Sequence, residues 1–110
     1  MSAVDLKRCV PARLVSADRW DSIEPGDCVV ITSAKHAESV AGLAYACAGC
    51  GELVSLDFDC DGTEGPRWSV VSGDPAQPET LTTSPSILHD PAKGGCGWHG
   101  YLRNGVFEPC

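Results

Sequence analysis

The stretch Cys96-Gly-Trp-His99-Gly-Tyr101-Leu-Arg103-Asn104-Gly105-Val106-Phe107-Glu-Pro-Cys110 decides the reading of this chain. Asn104-Gly105 is the dipeptide of a type I′ turn, which needs positive φ at both central positions. Apolar residues flank it on both sides, so Tyr101–Arg103 and Val106–Phe107 are predicted to pair as a β-hairpin. The entry side of that hairpin carries Cys96 and His99. Its exit side ends at Cys110 and returns that thiol towards Cys96.

Cys96-x-x-His99 has a counterpart upstream, Cys47-Ala-Gly-Cys50-Gly51. Two ligand-type residues on one tight turn can face one ion. Two such turns make a tetrahedral site of the zinc kind. The flanking glycines supply the backbone freedom that such a turn needs. Cys47, Cys50, Cys96, His99 and Cys110 are five candidates for four places. Either His99 ligates and Cys110 is spare, or Cys110 ligates and His99 is free. Cys60 is a weaker sixth candidate, in an acidic loop with Asp57, Asp59 and Asp61 that lacks the spacing of a calcium loop. Cys28, within Cys28-Val-Val-Ile31, reads as a small buried hydrophobe. His36 and His89 read as surface histidines on loops.

The cysteines fit metal binding better than disulfides. There are 7, an odd number, and Met1–Val10 lacks the apolar segment of a secretory signal. That points to a reducing, cytoplasmic setting. No apolar run is long enough to span a membrane. With 8 basic against 15 acidic residues the net charge is −7, which disfavours nucleic acid as a partner. A chain of 110 residues with 3 Trp, 2 Tyr and 2 Phe has few aromatic anchors, so structural Zn²⁺ would help hold it.

The rest of the chain reads as strands and turns. Glu24-Pro-Gly-Asp27 is a turn before a strand over Cys28–Ile31. Val10–Val15, Leu53–Phe58 and Trp68–Val71 read as further strands. Asp61–Pro66 and Gly73–Pro78 read as loops. Ala37–Ala46 suits helix or strand equally. The expectation is mainly β: one small domain over residues 1–110, with a zinc-knuckle or zinc-ribbon-like element and a C-terminal β-hairpin.

Thr82-Thr-Ser-Pro85-Ser86-Ile87 is hydroxyl-rich and stiffened by Pro85. A serine needs a neighbouring base to become a nucleophile. His99 follows Ser86 after a connection containing Gly94, Gly95 and Gly97, so the chain can fold back. Glu52, directly after the first knuckle, is the candidate to orient His99.

Cys50-Gly-Glu52, Pro66-Arg-Trp68-Ser69, Thr80-Leu-Thr-Thr-Ser-Pro-Ser86-Ile87, Cys96-x-x-His99 and Arg103-Asn-Gly-Val106 occur in an order that resembles a bacterial and phage family, domain of unknown function 6527. The resemblance covers roughly residues 25–110. Many relatives carry Cys-x-Cys-Gly-Cys-Gly-Glu where this chain has Cys47-Ala-Gly-Cys50-Gly-Glu52. Some members accompany a ubiquitin-like protein with E1-like and E2-like enzymes in defence operons. The resemblance implies a peptidase that trims or releases the ubiquitin-like protein, with Ser86 and His99 at the family's serine and histidine positions.

Three readings follow. In the first, Ser86, His99 and Glu52 form a hydrolase on a structural zinc held by Cys47, Cys50, Cys96 and Cys110. In the second, His99 is a zinc ligand and Glu52 the base of a metallopeptidase. In the third, the domain is a non-catalytic zinc-ribbon binding module with Trp68 or Trp98 as anchors.

Overall fold

The computed structural model describes residues 5–32, 40–58 and 68–110. The chain runs through β1 (Val10–Pro11), β2 (Arg13–Leu14), β3 (Asp27–Thr32), β4 (Val40–Ala46) and β5 (Leu53–Asp57). It continues through β6 (Ser69–Asp74), β7 (Gln77–Ser84), β8 (Ile87–Leu88), β9 (His99–Arg103) and β10 (Val106–Pro109). Short 3-10 turns lie at Ala17–Ser22 and Pro91–Lys93. The protein is therefore mainly β.

Among the described residues, two four-stranded sheets have the orders β1-β10-β9-β8 and β2-β3-β4-β5, and β6 and β7 form a two-stranded sheet. Residues 10–14 join the large sheets. β1 pairs with β10, and β2 pairs in parallel with β3. Between them Ala12 is buried, and its N–H donates to the Gly105 carbonyl at 2.7 Å.

The C-terminal hairpin has the expected register, with Val106 opposite Arg103. Asn104 and Gly105 take φ of 49° and 76°, as the turn type demands. Gly105 has a second constraint, because a Cβ there would sit 1.9 Å from the Glu79 carbonyl oxygen. The turn thus packs directly on β7.

β3 forms as expected from its β-branched run, and Cys28 is fully buried. Ala37–Ala46 resolves as strand from Val40 onward, because it pairs with both β3 and β5; residues 37–39 lie outside the described residues. Gly73–Pro78 is not a loop. It is the end of β6, a tight turn at Pro75 and Ala76, and the start of β7. The Asp74 carboxylate accepts from the Ala76 N–H at 2.9 Å and holds that turn. The loop expected at Asp61–Pro66, with Cys60 and His36, lies outside the described residues.

The core joins both large sheets. Leu43, Tyr45 and Leu56 come from one, Leu102 and Phe107 from the other, and Trp98 from the approach to β9. Each such side chain contributes about 1.5–3 kcal/mol on burial. Tyr45 stacks on Phe107 with ring centroids 4.9 Å apart. Trp98 meets Phe107 edge-on. Trp98 is thus a core residue and not an exposed anchor.

Candidate functional site

Two loops and two strand ends build the site. The first loop joins β4 to β5. The Cys47 N–H donates to the Glu52 carbonyl and the Gly51 N–H to the Cys47 carbonyl, both at 2.8 Å. These bonds close a turn that places the Cys47 and Cys50 sulfurs on one side. The Gly49 N–H also donates to the Cys47 sulfur at 3.3 Å.

The second loop joins β8 to β9. The His89 N–H donates to the Trp98 carbonyl at 2.9 Å, and the Gly97 N–H to the His89 carbonyl at 2.7 Å. Asp90 caps the short turn after it, accepting from the Ala92 N–H at 2.9 Å. Gly95 is required there, because a Cβ would lie 2.3 Å from the His89 carbonyl oxygen. This closure presents Cys96 to the first loop.

The sulfurs of Cys47, Cys50 and Cys96 lie within 4.8 Å of one another. Cys47 and Cys96 are 3.6 Å apart. Cys47 is fully buried, and the other two are half-buried. Three soft donors at this spacing could bind a metal ion, and their chemistry suits zinc. Burial pushes the Cys47 thiol up to about 12, against the opposing effect of the Cys50 and Gly49 backbone N–H groups. A cation at the cluster would reverse that preference.

Cys110 is not among the three. β10 runs antiparallel to β9 and carries it opposite His99, where its N–H donates to the His99 carbonyl at 3.0 Å. Its sulfur lies 3.2 Å from His99 Nδ1. The other ring nitrogen, Nε2, lies 3.1 Å from Ser86 Oγ. Both nitrogens of His99 are thus taken, by Ser86 and Cys110. Neither faces Glu52, whose exposed side chain lines the cleft beside Ser86.

That cleft has a volume of about 760 Å³. Glu52, Leu53 and Val54 form one wall, and Ser86, Leu88 and His89 another. Trp68 also lines it, and its indole N–H donates to the Ser86 carbonyl at 3.2 Å. The indole therefore fixes the backbone from which Ser86 projects.

His89 is not a surface residue. It is 9% exposed and lies 5.6 Å from Trp98 between ring centroids. Its Nδ1 is 2.9 Å from the Cys47 sulfur, and its Nε2 is 2.8 Å from the Tyr45 hydroxyl. Burial lowers its pKa from the ordinary histidine value, so the neutral ring is favoured. Burial likewise raises Tyr45. The signal for His89 in the sequence was its place at the head of a Pro- and Gly-rich loop that ends on Cys96.

Among the described residues no helix is long and apolar enough to cross a membrane. No curated protein and no solved structure matches the chain. A family model described as bacterial ubiquitination-like system serine protease (BubE) matches residues 15–110. That span holds the serine–histidine contact and the three-cysteine cluster, and the chain belongs to this family.

Proposed function

We propose that this chain is a serine peptidase acting on a ubiquitin-like protein, or on its conjugates, in a bacterial ubiquitination-like defence pathway. One observation carries the reading: Ser86 Oγ lies 3.1 Å from His99 Nε2 at the edge of an open cleft. This is hydrogen-bond reach between a nucleophile and a base. The match to a serine protease family of a bacterial ubiquitination-like system supports a ubiquitin-like protein as the substrate class.

In this mechanism Ser86 Oγ attacks the scissile carbonyl while His99 Nε2 takes its proton. His99 then returns the proton to the leaving amine, and water releases the acyl group by the same route reversed. Nε2 accepts from Ser86 only in the tautomer with the proton on Nδ1. The Cys110 sulfur sits where it can accept that Nδ1–H and hold the ring. Cys110 thus takes the orienting role expected of Glu52. Glu52 instead offers negative charge on the wall of the cleft.

Zn²⁺ held by Cys47, Cys50 and Cys96 would be structural. It would join the loop after β4 to the loop before β9 and add stability. Thiolates donate much charge to zinc and leave a weak Lewis acid, so bond cleavage falls to Ser86 and His99.

The test is incubation with the ubiquitin-like protein encoded beside this chain, carrying a C-terminal extension, with intact mass as readout. Loss of the extension, blocked by Ser86→Ala and by a serine-directed phosphonate, is the expected result. Cleavage that persists in Ser86→Ala would reject Ser86 as the nucleophile.

A further inference from the structure

We propose that His89 is the fourth ligand of the metal, bound through Nδ1, so that the site is Cys47, Cys50, Cys96 and His89. The proposal rests on the structural-metal reading above and goes beyond it. It fixes the remaining place, and it gives each loop two ligands.

The first argument is position. His89 Nδ1 lies 2.9 Å from the Cys47 sulfur, on the ring of a buried residue. Two ligands of a tetrahedral zinc stand about 3.6–3.8 Å apart, given Zn–S of about 2.3 Å and Zn–N of about 2.0–2.1 Å. The Cys47 and Cys96 sulfurs, 3.6 Å apart, already have that spacing. The shorter distance to His89 is that of a hydrogen bond to a thiol proton. A metal would displace the three thiol protons to solvent, and His89 Nδ1, which faces the Cys47 thiol, would be the nitrogen donor nearest to it.

The second argument is the far side of the ring. A ligating histidine commonly donates its other N–H to a fixed acceptor, which sets tautomer and orientation. Here Nε2 meets the Tyr45 hydroxyl at 2.8 Å. That hydroxyl is itself held by a ring stacked on Phe107. With the proton on Nε2, Nδ1 is free to bind a cation.

The third argument is the loop. His89 and Cys96 stand at the two legs of one turn closed by the His89–Trp98 and His89–Gly97 backbone bonds. Cys47 and Cys50 stand at the two legs of the other. A Cys–His pair is also the arrangement of a thiol nucleophile, but Cys47 is fully buried and no substrate can reach it. Cys110 is engaged with His99 and does not compete.

The experiment uses the whole protein, loaded with zinc or with Co²⁺ as spectroscopic substitute. Wild type should hold one metal with a three-thiolate, one-imidazole cobalt spectrum. His89→Ala should weaken zinc binding about a hundredfold or more against a chelating dye. His89→Cys should keep the metal, and its sulfur-to-cobalt charge-transfer intensity should rise by about a third as thiolates go from three to four. Cys110→Ser should leave affinity and spectrum unchanged. If His89→Ala does not fold, the His89→Cys spectrum decides alone. Wild type that binds no metal overturns the structural-metal reading, and this proposal with it. Wild type that binds metal, with His89→Cys showing an unchanged charge-transfer band or Cys110→Ser an altered one, overturns only the assignment of His89.

Discussion

His99 Nδ1 lies 3.2 Å from the Cys110 sulfur, and the pairing follows from strand register. Pro109, the last residue of β10, stands opposite Gly100, and Cys110 just beyond it continues that register to His99. Removing the thiol should release the ring without touching Ser86. Cys110→Ala is expected to lower kcat about 10- to 100-fold with little change in KM, and Cys110→Asp to restore much of it. Steady-state kinetics on a cleavable ubiquitin-like fusion reads both. A KM effect with unchanged kcat would place Cys110 in substrate binding instead.

Ser86→Ala and His99→Ala should each reduce cleavage at least about 10³-fold, and the double variant should lose no more than either single one. Nucleophile and base act as one unit, so the costs do not add. Metal content and thermal melting should stay at wild-type values, because neither residue belongs to the cysteine cluster. A loss of zinc in His99→Ala would show the ring to be a ligand.

Cys47→Ser and Cys96→Ser should destabilise the fold severely, since a structural zinc contributes an apparent ~10 kcal/mol. Strong chelators should lower the melting temperature of the wild type in the same way. Cys28→Val is a control outside the cluster, as fully buried as Cys47. Its cost should stay within about 1–3 kcal/mol, the range for one added carbon in a packed core. Thermal melts with and without chelator separate these cases, and equal losses for all three variants would show that the cluster owes its stability to packing alone.

Gly105→Ala should cost about 3 kcal/mol or more. The added methyl would combine positive φ with an approach of 1.9 Å to the Glu79 carbonyl. Asn104→Gly, at the neighbouring positive φ, should be nearly neutral, because glycine adopts that conformation freely. Denaturant midpoints of the two variants check this contrast.

The hairpin was legible because two adjacent residues encode its turn. The Cys47 and Cys50 pair was legible because its spacing is local. β7 was hidden for a local reason too. Pro78 and a run of hydroxyl residues suppress the usual strand signal, and only Pro78, Leu81 and Thr83 turn inward, at uneven spacing. The parallel pairing of β2 with β3 joins residues 14 apart and leaves no mark on either stretch. The place of His89 was hard to read because its one signal, a Pro- and Gly-rich loop running to Cys96, lacks the two-residue spacing of a knuckle. Its partners, Tyr45 and Cys47, come from a strand end more than forty positions away. Cys110 looked like a metal ligand because a hairpin returns it to the right neighbourhood. In the structure its sulfur lies 3.2 Å from His99 Nδ1, three residues along the chain from Cys96.

Ser86, His89, Cys96 and His99 follow one another along a single stretch of chain. On the readings proposed above, the cutting dyad would stand at its two ends, and His89 and Cys96 would hold the ion between them. On this arrangement the ion would act as a clasp on a strap whose two ends are already paired as β8 and β9. A newly made chain would then stay harmless until it acquires its ion. On the proposed reading, starving a cell of that ion would disarm the protein by unfolding the domain that carries Ser86 and His99.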